Sequence, residues 1–286
     1  MTTEDPARKE SGPLLFLAVT FATAWAAWGV AIALGQPAMS FPTVIPYLVG
    51  AFGPMFGAIA VRLRRAARRR SAPAHAVRFP LTGLLWTPVL LVVAAGTVVG
   101  GALLAQQLGG PPVSLPAALT LLETSGGPIA FAAVMLVVGP LSEEFGWRGT
   151  MHPRLRARMG LLPAGLLLGV VWSVWHLPLF FVAGTVQNAF GLLTPSGLVY
   201  LVSVVPMAVL AACGYERAGV LGAVVVHFGA NATMSLVGVS ELLPQALVVG
   251  AQAVAALVLL AVHRDRREKA SAAHGPVREQ PAPALR

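Results

Sequence analysis

The sequence predicts an all-α fold, a polytopic transmembrane helical bundle of about eight spans, and three observations carry that prediction. Of 286 residues, 56% are hydrophobic and only 11% charged, with a mean hydropathy of +0.75; a soluble domain carries about a quarter charged residues. The apolar residues gather into runs of the roughly 17–25 residues that cross a bilayer. All 20 Lys and Arg fall on alternate connections between those runs.

The runs, in order, are 14–34, 44–61, 84–108, 129–147, 162–182, 198–213, 220–239 and 242–262. The first is longer than the apolar core of a signal peptide, about 7–15 residues, and reads as a retained anchor. Between runs lie Gly- and Pro-rich connections such as GQPAMSFPT (35–43) and LGGPPVSLPA (108–117), which punctuate helices. The fourth run leads into GPLSEEFGWRGT (139–150). No internal repeat is visible. The polar ends, 1–13 and 263–286, read as disordered tails around one membrane domain, 14–262.

With the amino terminus inside and eight crossings, the basic residues collect on one face: Arg8 and Lys9, RLRRAARRR (62–70) with Arg78, Arg148 to Arg158, Arg217, and the tail. The opposite connections hold only Glu123 and Glu241. Basic residues mark cytoplasmic loops, so both termini are expected in the cytoplasm. The net charge of +9 then belongs to segments facing anionic lipid, worth about 1 kcal/mol per charge, and not to a nucleic-acid partner. MHPRLRARMG (151–160) reads as an interfacial segment beside the fourth span. The single cysteine, Cys213, permits no intrachain disulfide and no CxxC metal site. Arg outnumbers Lys 18 to 2, and with abundant Ala this suggests a GC-rich bacterial source and its cytoplasmic membrane.

Ionisable groups within a bilayer cost at least ~2.5–3.5 kcal/mol each and are functional candidates by default. Here they are Glu143, Glu144, Arg148, His176 and His227, with Asn231 the one carboxamide of an asparagine in a span. Residues four apart share a helix face. Glu144 therefore pairs with Arg148 as structural support, leaving Glu143 without a partner in its own helix. His227 and Asn231 share a stripe, as do Trp172 and His176. On regular helices Glu143 and His176 differ in depth by about 10 Å.

A carboxylate beside an imidazole can deprotonate water, and a second imidazole with a carboxamide can donate to an oxyanion. The set reads as amide hydrolysis without a covalent intermediate. Neither GxSxG nor HExxH is present. Glu143, His176 and His227 also form a possible zinc set, with water as fourth ligand; direct and metal mechanisms both stay open. Trp147, Trp172 and Trp175 read as packing or interfacial aromatics.

These motifs together resemble the CAAX-processing and bacteriocin-processing (CPBP, or ABI) intramembrane endopeptidases. EExxxR is matched by Glu143, Glu144 and Arg148. The aromatic-xxx-His motif is matched by Trp172 and His176, with Trp where Phe is usual. HxxxN is matched by His227 and Asn231. The resemblance covers about 129–240. It implies an intramembrane protease entered from the cytoplasm, in which Glu143 and His176 activate water while His227 and Asn231 hold the oxyanion. The family has been described as both metallo- and glutamate-type. It implies a hydrophobic or lipidated peptide substrate; Trp172 is expected to alter pocket shape and the size of substrate admitted. A non-catalytic protein of the same fold that binds a partner is the alternative.

Overall fold

The computed structural model describes residues 12–69, 80 and 83–273, with side chains as far as His263. The tails 1–11 and 274–286, and Arg70 and Arg78 of the basic connection, lie outside the described residues. Among the described residues there are helices and no strand. Lipid offers the backbone no hydrogen bonds, and a helix satisfies its own N–H and C=O groups.

The first span is α1 (Gly12–Leu34). The second is a pair, α2 (Val44–Ala51) and α3 (Gly53–Ala67), bent by 49°. Then come α4 (Gly83–Gln107) and a short apolar helix, α5 (Leu115–Thr124), capped by the Ser114 hydroxyl accepting from the Ala117 N–H. The fourth span is interrupted. It comprises α6 (Pro128–Leu136), α7 (Ser142–Gly146) and α8 (His152–Arg156), joined by wide turns over Val137–Leu141 and Trp147–Met151. The fifth is α9 (Leu161–Trp175), tightening into a 3₁₀ turn at Leu177–Phe181. After α10 (Val186–Phe190) come α11 (Pro195–Val237) and α12 (Leu242–Ala273).

Six of these segments are long and apolar enough to cross a membrane, and the bent pair makes a seventh. The helix α11 supplies two passes. Gly219 leaves the helical region (φ 64°, ψ −153°), a backbone state that only glycine adopts readily. Beyond it the chain folds back: a Cβ on Gly214 would sit 2.8 Å from the Gly222 carbonyl oxygen, and one on Gly222 would collide with the Gly214 carbonyl. Eight residues along a straight helix would separate them by about 12 Å. The legs 195–218 and 220–237 therefore stand side by side, and the eight predicted spans are recovered.

The α11 hairpin is the centre of the bundle, packed against α4, α9 and α12, while α1 packs on α2 and α3. Between lipid-soluble helices there is little hydrophobic drive, so small residues and close backbones do the joining: Gly146 of α7 rests on Pro54 of α3, and Gly169 of α9 on Val205 of α11. Aromatics fill the space where α1, α9 and the fourth span meet. Phe16 and Trp147 lie 5.4 Å apart, Trp147 and Trp175 6.0 Å, and Trp28 and Trp175 4.6 Å.

Three expectations need correction. The fourth span is no regular helix over 129–147. MHPRLRARMG is no outward-facing interfacial segment, because His152 is 0% and Arg154 and Arg156 are each 6% exposed. Protein partners hold their polar heads. Arg156 Nε–H donates to Glu216 at 2.8 Å, His152 Nε2 lies 3.2 Å from the same carboxylate oxygen, and Arg154 donates to the Thr150 carbonyl at 2.6 Å. Finally, α12 continues to Ala273, past the expected start of a disordered tail at 263. The sequence RDRREKASAA is rich in Arg, Lys, Glu and Ala, all favourable in helices.

Candidate active site

Glu143, His176, His227 and Asn231 line one cavity of about 460 Å³. They arrive from three spans: Glu143 on α7, His176 at the carboxyl end of α9, and His227 and Asn231 on the second leg of α11.

The interruption before α7 sets the geometry. Val138 (φ −89°, ψ 67°) and Gly139 (φ 147°, ψ −88°) depart from helical values, and Pro140 follows. The Gly139 backbone is held locally: its N–H donates to the Ser142 hydroxyl, which donates in turn to the Gly139 carbonyl, each at 3.1 Å. Because Gly139 has no side chain, the space over it stays open. A Cβ there would meet Glu143 Oε1 at 3.7 Å, His227 Nε2 at 3.7 Å and Asn231 Nδ2 at 3.9 Å. Three polar atoms from two helices thus surround one small volume. The depth mismatch expected for regular helices does not keep His176 out of the same cavity, because the fourth span is broken and α9 ends at His176.

The buried pair Glu144–Arg148 forms as the helix spacing predicts, at 2.9 Å with both side chains 0% exposed. Its reach is wider than expected. Glu144 Oε1 also accepts from His227 Nδ1–H at 2.9 Å, which turns the other ring nitrogen, Nε2, toward the space over Gly139. Arg148 also donates to the Ala208 carbonyl at 3.2 Å and lies 4.5 Å from the Trp172 ring centroid. A buried charge stripped of its partner costs about 3–5 kcal/mol, so this cluster fixes α7 against both legs of α11.

Glu143, unpartnered within its helix, accepts from the Trp172 indole N–H at 2.6 Å. The backbone carbonyl of Trp172 accepts from His176 Nδ1–H at 2.8 Å, leaving His176 Nε2 free. Trp172 is therefore hydrogen-bonded to both groups. Trp147 and Trp175 are both buried, and Trp175 also lines the cavity.

Among the described residues no three His, Cys, Asp or Glu side chains stand as a metal-holding group. The zinc set of Glu143, His176 and His227 expected from the sequence is not among such groups.

Sequence reasoning missed Gly139 and the linking role of Glu144. Gly139–Pro140 is a breaker dipeptide inside an apolar run and signalled the first. Nothing local signals the second, because Glu144 and His227 lie 83 residues apart.

Comparison with known proteins agrees with the motifs. Residues 125–233 match the family described as type II CAAX prenyl endopeptidase Rce1-like, and these residues include Glu143, His176, His227 and Asn231. The chain is also 28% identical over 172 residues to "CAAX prenyl protease 2" of Methanococcus maripaludis, covering 56% of this chain and 60% of that relative.

Proposed function

We propose that the chain is an intramembrane endopeptidase that hydrolyses hydrophobic or lipidated peptides by attack of a water molecule activated by Glu143 and His176. The observation that carries this reading is the open space over Gly139, bordered by Glu143 Oε1, His227 Nε2 and Asn231 Nδ2.

In the proposed reaction a water oxygen attacks the scissile carbonyl carbon while its proton passes to Glu143, with His176 Nε2 orienting the water. The carbonyl oxygen becomes an oxyanion held by Asn231 Nδ2–H and faced by His227 Nε2, whose ring the Glu144 carboxylate fixes through Nδ1. The intermediate collapses, the C–N bond breaks, and Glu143 returns the proton to the leaving amine. Trp172 positions Glu143. The match to a CAAX prenyl endopeptidase family supports a peptidase reading. The basic end of the bundle supports a cytoplasmic orientation for both termini, and the Arg-rich composition supports a bacterial membrane; the matched relative is from Methanococcus maripaludis.

The test is cleavage of a hydrophobic peptide library by the protein in liposomes. Glu143→Gln and His227→Ala are expected to lower kcat at least ~100-fold with thermal unfolding little changed for Glu143→Gln. A strong chelator is expected to leave the wild-type rate unchanged. Full activity in Glu143→Gln refutes the assignment, and loss of activity on chelation moves the mechanism to a metal.

A further inference from the structure

The cavity occupies one half of the bundle. The helix α9 with its 3₁₀ turn, the two legs of α11, and α12 all run between the basic end and a far end. That far end carries the connections 35–43, 182–194 and 238–241. Two of these meet there, the Ala38 N–H donating to the Ala183 carbonyl at 2.8 Å. Lining residues from the four elements fall within 172–179, 199–207, 227–235 and 245–252, each range displaced toward the far end. Counted from that end, Met207, His227 and Gln252 lie about 18, 15 and 15 Å deep. Three elements thus agree on a floor near the middle of a hydrocarbon core about 30 Å thick.

Between that floor and the basic end the interior is filled. Glu144, Trp147, Arg148, His152 and Cys213 are each 0% exposed, and none of them lines the cavity. The pairs Glu144–Arg148 and Arg156–Glu216 lie in this layer, the second joining α8 to the first leg of α11. A peptide could cross it only by separating buried charges from their partners, which is costly. At the far end the cavity reaches the surface instead. Gly184, Val186, Gly238 and Ser240 line it and are exposed, Val186 at 51%.

We infer that substrate enters from the face opposite the basic end. The inference rests on the peptidase reading and on the basic end facing the cytoplasm. It names the substrate class: an exported or membrane-anchored polypeptide presented outside the cytoplasm. The family resemblance implied the reverse route. A chain extended at about 3.3 Å per residue reaches from the mouth to the reacting groups in about five residues, so the bond cut lies that far from where the substrate leaves the surface.

Two measurements on the full chain test this. The first labels cysteine variants in intact cells with a charged, membrane-impermeant thiol reagent. Met207→Cys at the floor, or Ser203→Cys where the first does not fold, is expected to react before permeabilisation, together with the far-end marker Gln36→Cys. The basic-end marker Arg68→Cys is expected to react only afterwards. A cavity cysteine that follows Arg68→Cys, or that stays unlabelled from outside, overturns the inference; so does an Arg68→Cys that reacts first. The second uses sealed vesicles and a hydrophobic peptide that the wild type cleaves in detergent, tagged at both ends with charged residues that bar it from crossing lipid. Right-side-out vesicles are expected to cleave it at least ~10-fold faster than inside-out ones, and the opposite ratio overturns the inference. Absence of cleavage in detergent overturns the peptidase reading instead, and the labelling still decides the route of entry.

Discussion

Trp172 is joined to three members of the polar cluster: its indole N–H reaches Glu143, its carbonyl holds His176 and its ring lies under Arg148. Phenylalanine at this position would keep the carbonyl bond and the ring but lose the N–H. Hydrogen bonds to charged groups contribute about 1.5–3 kcal/mol, so Trp172→Phe is expected to reduce kcat roughly 10-fold or more while KM and the unfolding temperature change little. Steady-state kinetics on a single peptide checks this. A KM effect alone would assign Trp172 to substrate fit. The ion pair Glu144–Arg148 was legible because both residues sit within one turn of each other. The bonds from His227 to Glu144 and from Trp172 to Glu143 were not, because local spacing is silent about which faces of distant helices meet.

At the scale of an element, the break before α7 matters most. A regular helix through 139 would close the space that three polar groups border, and a side chain there would occupy it. Gly139 at φ 147° lies where other residues are strained by about 1–3 kcal/mol. Gly139→Ala is therefore expected to lower the unfolding temperature and to abolish cleavage even where the protein still folds. Thermal unfolding in detergent beside a cleavage assay separates the two effects; wild-type activity in Gly139→Ala would remove the pocket from the mechanism. Hydropathy located the eight passes because bilayer thickness imposes a length on apolar runs. Averaged over a span it did not show the interruption of the fourth, where the one signal is the Gly139–Pro140 breaker pair inside VMLVVGPL. Nor could it show that Arg154 and Arg156 are buried, because a basic residue near a span end reads alike whether its head meets lipid or Glu216.

Across the whole molecule, the charged residues define one end. Gly12 of α1 backs onto Arg154, and Gly149 onto Arg62, so the starts and ends of several spans share a basic layer. If that layer faces the cytoplasm, a membrane-impermeant maleimide is expected to label Gln36→Cys in intact cells and Arg68→Cys only after permeabilisation. Both positions are exposed, and the native Cys213 is fully buried, so the background is low. Labelling of Arg68→Cys in intact cells would invert the topology. The cavity also has a divided ancestry along the chain. Glu143, His176, His227 and Asn231 all come from the middle of the sequence, whereas Tyr47 on one side and Gln245 and Gln252 on the other come from outer helices. On the proposed peptidase reading, variation in those outer helices can retune which sequences are admitted without disturbing how the bond is cut, so selectivity and reactivity are free to evolve on separate schedules.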